Sequence, residues 1–214
     1  MCKVKQLKTY QLFLLLLFLN ILILWYYDNY VMTREVYHHL LSNQLETSRI
    51  DQFIDLVNRF KIWKYILAAP LLWLRITVIT LLLQFPLLLK FIDVPFNKIF
   101  RWVTQATFVL TFGSFIKIIW LSQLPVEQMT QTTLAIMPGS LSNFVKIANY
   151  SSSAVTLFNQ ISIFEILWCL VVYRGLSCVK KIQKIDAALI VCGIWTFLCV
   201  FQWALIAYLE KMNS

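Results

Sequence analysis

Three charged side chains stand inside long apolar stretches of this sequence and are its clearest candidates for chemistry. Arg75, Lys117 and Glu165 each lie within a run long enough to form a membrane helix. A charge near the centre of such a helix costs about 2.5–3.5 kcal/mol on insertion scales, so these side chains are expected to face the protein interior. The sequence therefore predicts an intramembrane charge cluster in which Glu165 pairs with Arg75 or Lys117. The alternative is that the two long cationic side chains snorkel to the membrane surface.

A second polar pattern follows one face of the third apolar run. Its members are small hydroxyl residues that recur at a 3-4-3 spacing, namely Thr104, Thr107, Thr111 and Ser114. Such stripes allow membrane helices to approach closely and to form hydrogen bonds with each other. The pattern predicts a helix-packing stripe, with a path for a solute as the alternative.

The sequence motifs of common enzymes are missing from this chain. It has no His-Glu-x-x-His, no Gly-x-Ser-x-Gly and no Gly-rich phosphate loop followed by Lys and Ser or Thr. The two histidines, His38 and His39, are adjacent and would point apart on a helix. With four glycines in 214 residues, the chain also offers few places for a backbone phosphate cradle. We therefore expect a protein that is not an enzyme and that has no catalytic residue, cofactor or metal site.

Five apolar runs position these polar residues. About 20 helical residues cross a hydrocarbon core of about 30 Å. The runs that approach this length are 10–27, 65–89, 102–124, 155–173 and 187–209, in a chain that is 60% hydrophobic. The predicted fold class is an all-α integral membrane bundle of five transmembrane helices, with residues 1–214 forming a single membrane domain.

The longest segment between these spans, residues 33–64, is predicted to be helical and amphipathic. Thr33 and Ser48 are candidate helix N-caps, and Asp51 is placed to complete a capping box with Ser48. An apolar stripe at helical spacing follows, made of Ile50, Phe53, Ile54, Val57 and Phe60. A helix of this kind either lies in the membrane interface or packs on the end of the bundle.

The distribution of basic residues predicts the orientation. With the N-terminus in the cytoplasm, ten lysines and arginines fall in inner segments and seven in outer segments. The inner residues are Lys3, Lys5, Lys8, Lys90, Lys98, Arg101, Arg174, Lys180, Lys181 and Lys184. Cytoplasmic loops carry such an excess, which predicts a cytoplasmic N-terminus and an external C-terminus. Because this bias explains the net charge of +9, a nucleic-acid partner is not expected.

The last third of the sequence carries a family-like pattern. It starts with Ser140-Leu141 and continues with the apolar-aromatic stretch Phe158–Trp168, in which Asn159 is the second residue. Arg174-Gly175-Leu176 and a basic loop follow. Over roughly residues 90–209 the chain resembles the Yip-type family of five-pass integral membrane proteins. The resemblance implies a five-helix membrane domain. Eukaryotic members act in vesicle trafficking and bind Rab-type GTPases.

The segment 33–64 departs from trafficking members, whose extramembrane part is usually a cytosolic N-terminal region. This difference favours a bacterial-type member in the cytoplasmic (inner) membrane. The expected function is a non-catalytic scaffold or accessory subunit of a membrane complex for secretion, trafficking or transport. The alternative is a small transporter or channel subunit that uses the intramembrane charges. The expected partners are the lipid bilayer and other membrane proteins or further copies of the chain.

Overall fold

The protein is all-helical, as the sequence predicts, in a computed structural model that describes residues 8–42, 45–145, 150–179 and 181–213. The α-helices of these ranges are α1 (Thr9–Tyr26), α2 (Arg34–Leu41), α3 (Thr47–Leu89), α4 (Phe96–Ser122), α5 (Gln131–Ala135), α6 (Ser152–Gln160), α7 (Ile163–Ser177) and α8 (Lys184–Asn213). A π-helical turn, Tyr27–Val31, extends α1. Short 3-10 turns cover Val126–Gln128 and Leu141–Phe144.

Within the described residues, four helices are long and apolar enough to cross a membrane. They are α1 with its π-helical extension, α3, α4 and α8. These four helices contain the first, second, third and last of the apolar runs that the sequence identifies. Only 11% of the most apolar window is buried in α1 and in α8, so both helices present most of their apolar surface outward.

The remaining run, 155–173, was predicted as one continuous helix, and this prediction is wrong. The chain breaks at Ile161 and Ser162, which separates α6 from α7. With 15 residues, α7 is about 22 Å long at 1.5 Å per residue, shorter than a hydrocarbon core of about 30 Å. Hydropathy alone cannot reveal such a break because the residues around it remain apolar.

The segment 33–64 also differs from the prediction. Thr33 caps α2 as expected, accepting a hydrogen bond from the backbone N–H of Val36. The second half of the segment, however, is continuous with the next span in the single 43-residue helix α3. Helix α3 begins at Thr47 with Glu46 at its N-cap position, so Ser48 is not a cap. A 43-residue helix is about 65 Å long, roughly twice the hydrocarbon thickness, so its charged N-terminal turns must project beyond the membrane.

Two glycine contacts show that α7 runs antiparallel to α4. A Cβ atom added at Gly113 would lie 2.7 Å from the ring of Phe164, and one added at Gly175 would lie 2.6 Å from the indole of Trp102. Only glycine permits such close approach, which is the usual role of small residues between membrane helices. The two contacts fix the register of α7 along α4.

An ion pair joins two connections at one end of the bundle. Lys90 Nζ lies 2.6 Å from Asp186 Oδ1, so the α3–α4 connection meets the first turn of α8. We call residues 76–107, 168–179 and 181–191, which include this ion pair, the closed half. We call residues 47–75, 111–145, 150–165 and 195–213 the open half.

The closed half contains the main apolar core. Fully buried side chains from α3, α4 and α7 fill it, namely Ile76, Leu83, Leu87, Ile99, Val103, Ala106, Val172 and Leu176. Lipid tails are as apolar as leucine, so the stabilisation here comes from van der Waals packing rather than from removal of surface from water. A substitution that leaves a cavity in this core would therefore destabilise the protein through lost van der Waals contacts.

At the opposite end, polar contacts connect α1 to α3. Asp28, in the π-helical turn, lies 2.5 Å from Lys64 Nζ and accepts a hydrogen bond of 3.0 Å from the Tyr65 hydroxyl. Lys61 donates a hydrogen bond of 3.1 Å to the side chain of Asn29. These contacts lie where the polar N-terminal part of α3 meets the apolar run 65–89.

Candidate functional site

The residues at the break between α6 and α7 form backbone hydrogen bonds with the loop at Gly139–Leu141. The backbone N–H of Leu141 donates to the carbonyl of Ile161 at 3.0 Å, and that of Ile163 donates to the carbonyl of Gly139 at 3.1 Å. Gly139 has a φ of 74°, a conformation that glycine adopts without strain. This bridge satisfies backbone groups that the break would leave unpaired, as irregular backbone within a membrane domain requires.

Ser162 begins the second helix. Its hydroxyl oxygen accepts a hydrogen bond of 3.2 Å from the backbone N–H of Glu165, the standard geometry of an N-cap. Glu165 consequently lies in the first turn of α7, where the helix dipole favours a negative charge.

Asn159 fastens the loop to α6. Its Oδ1 accepts hydrogen bonds from the backbone N–H of Met137 at 2.9 Å and from the Ser142 hydroxyl at 2.7 Å. Its Nδ2 donates to the carbonyl of Ala135 at 2.9 Å. The Asn159 side chain is thus hydrogen-bonded to three residues of the stretch from α5 to the 3-10 turn at Leu141–Phe144.

A polar cavity of about 730 Å³ lies in the open half beside this break. Arg75 of α3, Lys117 of α4 and Glu165 of α7 all line it, together with Gln160 of α6 and Gln202 of α8. A second cavity of about 320 Å³ shares the residues Arg75, Leu110, Gln160, Glu165 and Gln202 and continues between α3 and α8. The structure therefore brings the three predicted charges to the walls of one continuous space.

The direct pairing of Glu165 that the sequence predicts is not present. Among the described residues, no ion pair within 4.0 Å joins Glu165 to Arg75 or to Lys117. The charges therefore face a common space with room between them.

A donor and an acceptor on the cavity walls have no partner among the described residues. The indole N–H of Trp168 is buried and makes no hydrogen bond within the described part of the chain, and the same holds for Gln160 Oε1. The Gln160 amide nitrogen does donate to Gln202 Oε1. Buried polar groups are normally satisfied, so unpartnered groups around a cavity indicate a binding site.

The predicted packing stripe on α4 is buried beside this space. Thr104, Thr107 and Thr111 are nearly inaccessible, and Ser114 is half-buried. The hydroxyls of Thr104, Thr107 and Ser114 donate to carbonyls one turn earlier in α4, and Thr111 accepts a hydrogen bond of 3.2 Å from Asn20 of α1. Three of the four hydroxyls are thus committed within their own helix, and the fourth connects two helices.

In the described ranges, no group of three or more His, Cys, Asp or Glu side chains is placed to hold a metal ion. His38 instead lies 3.1 Å from Asp51 Oδ1, a carboxylate that also accepts a hydrogen bond of 2.7 Å from Arg34. This group connects α2 to the projecting end of α3.

No protein family, curated protein or solved structure matches this chain. The similarity to Yip-type proteins therefore stays a prediction, supported by the residue pattern alone. Of the three quoted motifs, the first two are in contact, since Ser140 pairs with Ser162 across the helix break.

Sequence reasoning missed five residues of the site. Asn159, Gln160, Trp168, Trp195 and Gln202 are uncharged, and single uncharged polar residues in apolar runs are common. Gln160 and Gln202 lie 42 positions apart, and only the packing of α6 on α8 brings them together. The one available signal was the Asn159-Gln160 pair in the middle of an apolar run.

Proposed function

We propose that this chain is a non-catalytic membrane protein that acts as a scaffold or accessory subunit of a membrane complex for secretion, trafficking or transport. The observation that carries the proposal is where the polar cavity ends. From Arg75 and Glu165 towards the end that holds the Lys90–Asp186 ion pair, the interior of the bundle is the buried apolar core of the closed half. In the described part of the chain, a single copy therefore offers a binding cavity and no polar path from one end to the other.

The largely unburied faces of α1 and α8 suit contacts within the membrane plane, either with lipid or with another membrane protein. A photo-reactive benzoylphenylalanine at Phe18 of α1 or at Phe201 of α8 tests this, because both side chains are more than half exposed. An accessory subunit gives a discrete protein adduct from one of the two faces. Lipid adducts alone from both faces would contradict the proposal.

The alternative is a small transporter or channel subunit, which the polar cavity beside a broken helix favours. Purified protein in proteoliposomes distinguishes the two functions. An accessory subunit shows no proton or solute flux above empty vesicles. Flux that disappears in a folded Glu165→Gln variant identifies the alternative.

We further propose a five-pass, Yip-like topology in a bacterial cytoplasmic membrane, with the N-terminus inside. Both α4 and α8 begin at the end of the bundle that holds the Lys90–Asp186 ion pair. The chain between these two helices must therefore return to that end. Helices α6 and α7 make this return as a broken crossing. A reporter that is active only in the cytoplasm should therefore be silent when fused after Ser214, and an active fusion would reject this topology.

A further inference from the structure

We propose that the cavity of the open half binds the anionic group of an amphiphile, with its apolar chain lying between α3 and α8. This site would exist with or without a partner protein, so it goes beyond the accessory function. The inference rests on charge, on unsatisfied donors and on the shape of the space.

Charge is the first argument. Arg75 and Lys117 bring two cations to the cavity, and Glu165 brings one carboxylate that contacts neither of them as an ion pair in the described part of the chain. The surplus on the cavity walls is positive, and the hydrocarbon interior of a membrane disfavours an uncompensated charge. A bound anion would compensate it.

The unpartnered groups give the second argument. Trp168 is 2% exposed and lines the smaller cavity, and its indole N–H has no hydrogen-bond partner among the described residues. Indole and guanidinium groups donate hydrogen bonds and cannot accept them. The donors of Arg75, Lys117 and Trp168 outnumber the one unpartnered acceptor on the described walls, Gln160 Oε1, so the complementary ligand is an acceptor such as a phosphate or a carboxylate.

Shape identifies the ligand as an amphiphile. The larger cavity holds the polar residues and reaches the short helix α5 at the open end through Gln131 and Thr132. The smaller cavity is lined by apolar side chains of the two helices that flank it, namely Leu71, Leu74 and Val78 of α3 and Leu198 of α8. A polar space that leads into an apolar gap between two lipid-facing helices fits a charged head with an acyl chain.

The site is tested with purified full-length protein in mild detergent, using native mass spectrometry to measure lipid retention. The probes are dioleoyl phosphatidylglycerol and dioleoyl phosphatidylcholine, which share their chains and differ in net charge. We expect retention of the anionic lipid about tenfold above that of the zwitterionic lipid, since one hydrogen bond to a charged group contributes about that factor. Equal retention of the two lipids would overturn the proposal.

Variants locate the binding. Arg75→Gln and Lys117→Gln should each lower phosphatidylglycerol retention about tenfold, whereas Arg75→Lys should retain most of it. The matched control is Lys98→Gln, which removes the same charge from an exposed position in the closed half. Equal losses in Lys98→Gln and Arg75→Gln would mean that the lipid binds only to the outer surface and would overturn the site.

Glu165→Gln gives the opposite sign, because it removes the one negative charge that competes with the ligand. Retention of phosphatidylglycerol should rise severalfold, and a fall would contradict the assignment. Competition with inorganic phosphate distinguishes the source of the anion. Displacement by millimolar phosphate indicates that a soluble phosphate occupies the same donors, and resistance to it indicates that the acyl chain is required.

Discussion

The closed and open halves of this bundle are built from the same long helices and have opposite interiors. In the closed half, apolar side chains of α3, α4 and α7 fill the centre, and Trp102 lies against Gly175. In the open half the same helices surround a cavity with three charges on its walls. The difference follows from where α7 begins, because a helix that starts at Ile163 reaches the open half only with its first turn, where Phe164 packs against Gly113.

This contrast teaches that a helix break does two things at once. It removes the side chains that would fill the bundle, and it creates polar backbone ends that need partners. The loop around Gly139 and Asn159 supplies those partners. A membrane domain can therefore hold a polar cavity without a long polar sequence.

The largest expected effect is in the closed half, at Gly175. The substitution Gly175→Ala places a Cβ 2.6 Å from the Trp102 indole, and such overpacking should destabilise the protein by about 1–3 kcal/mol. The melting temperature in mild detergent measures this. Gly193→Ala is the matched control, because nothing lies within 4 Å of its added Cβ. Equal melting temperatures for the two variants would show that the closed half is not tightly packed.

The next effect concerns the loop of the open half. Asn159→Ala removes the hydrogen bonds to Met137, Ser142 and Ala135, and groups left unsatisfied should cost about 1–3 kcal/mol locally. Hydrogen exchange of residues 135–142 should accelerate, while the closed half stays protected. Asn58→Ala, at an exposed position of α3, provides the control. Faster exchange throughout the bundle would mean that the halves unfold together.

A smaller effect is expected at the ion pair that ends the closed half. Lys90 and Asp186 are partly exposed, at 46% and 29% of their side chains, so their coupling should be below about 1 kcal/mol. A double-mutant cycle with Lys90→Met and Asp186→Asn measures it, and added salt should reduce it. A coupling of several kcal/mol would place this pair in a much drier environment than the structure indicates.

The smallest effect is at the projecting end of α3. A hydrogen bond from Arg34 holds the pKa of the Asp51 carboxyl below its usual value of 3.8. A lowered pKa means that this contact stabilises the fold above pH 4 or so and is lost as the pH falls through the folded pKa. Hydrogen exchange of α2 should therefore increase on acidification below that range. Asp51→Asn should remove the pH dependence, and an unchanged profile in that variant would assign it to another group.

The sequence predicts the long helices well because their length and apolarity suffice to identify them. It also identifies Arg75, Lys117 and Glu165, because charges in apolar runs are conspicuous. It cannot predict the break at Ile161, which depends on pairing with Gly139 and Leu141 about twenty residues earlier. The sequence also does not predict that α3 is one continuous helix. The change from polar to apolar composition at Lys64 looks like a helix boundary, although no helix-breaking residue lies there.

The length of α3 has a mechanical consequence. Pro70 lies inside α3, between the projecting turns and Arg75, and an internal proline removes one backbone hydrogen bond and favours a bend. The projecting turns, residues 47–64, are about 27 Å long at 1.5 Å per residue. A change of about 10° in the bend at Pro70 would displace their tip by about 5 Å on this geometry. Asp51 lies beyond Pro70 and is attached to α2 through Arg34 and His38, so such a bend would move α2 relative to the cavity.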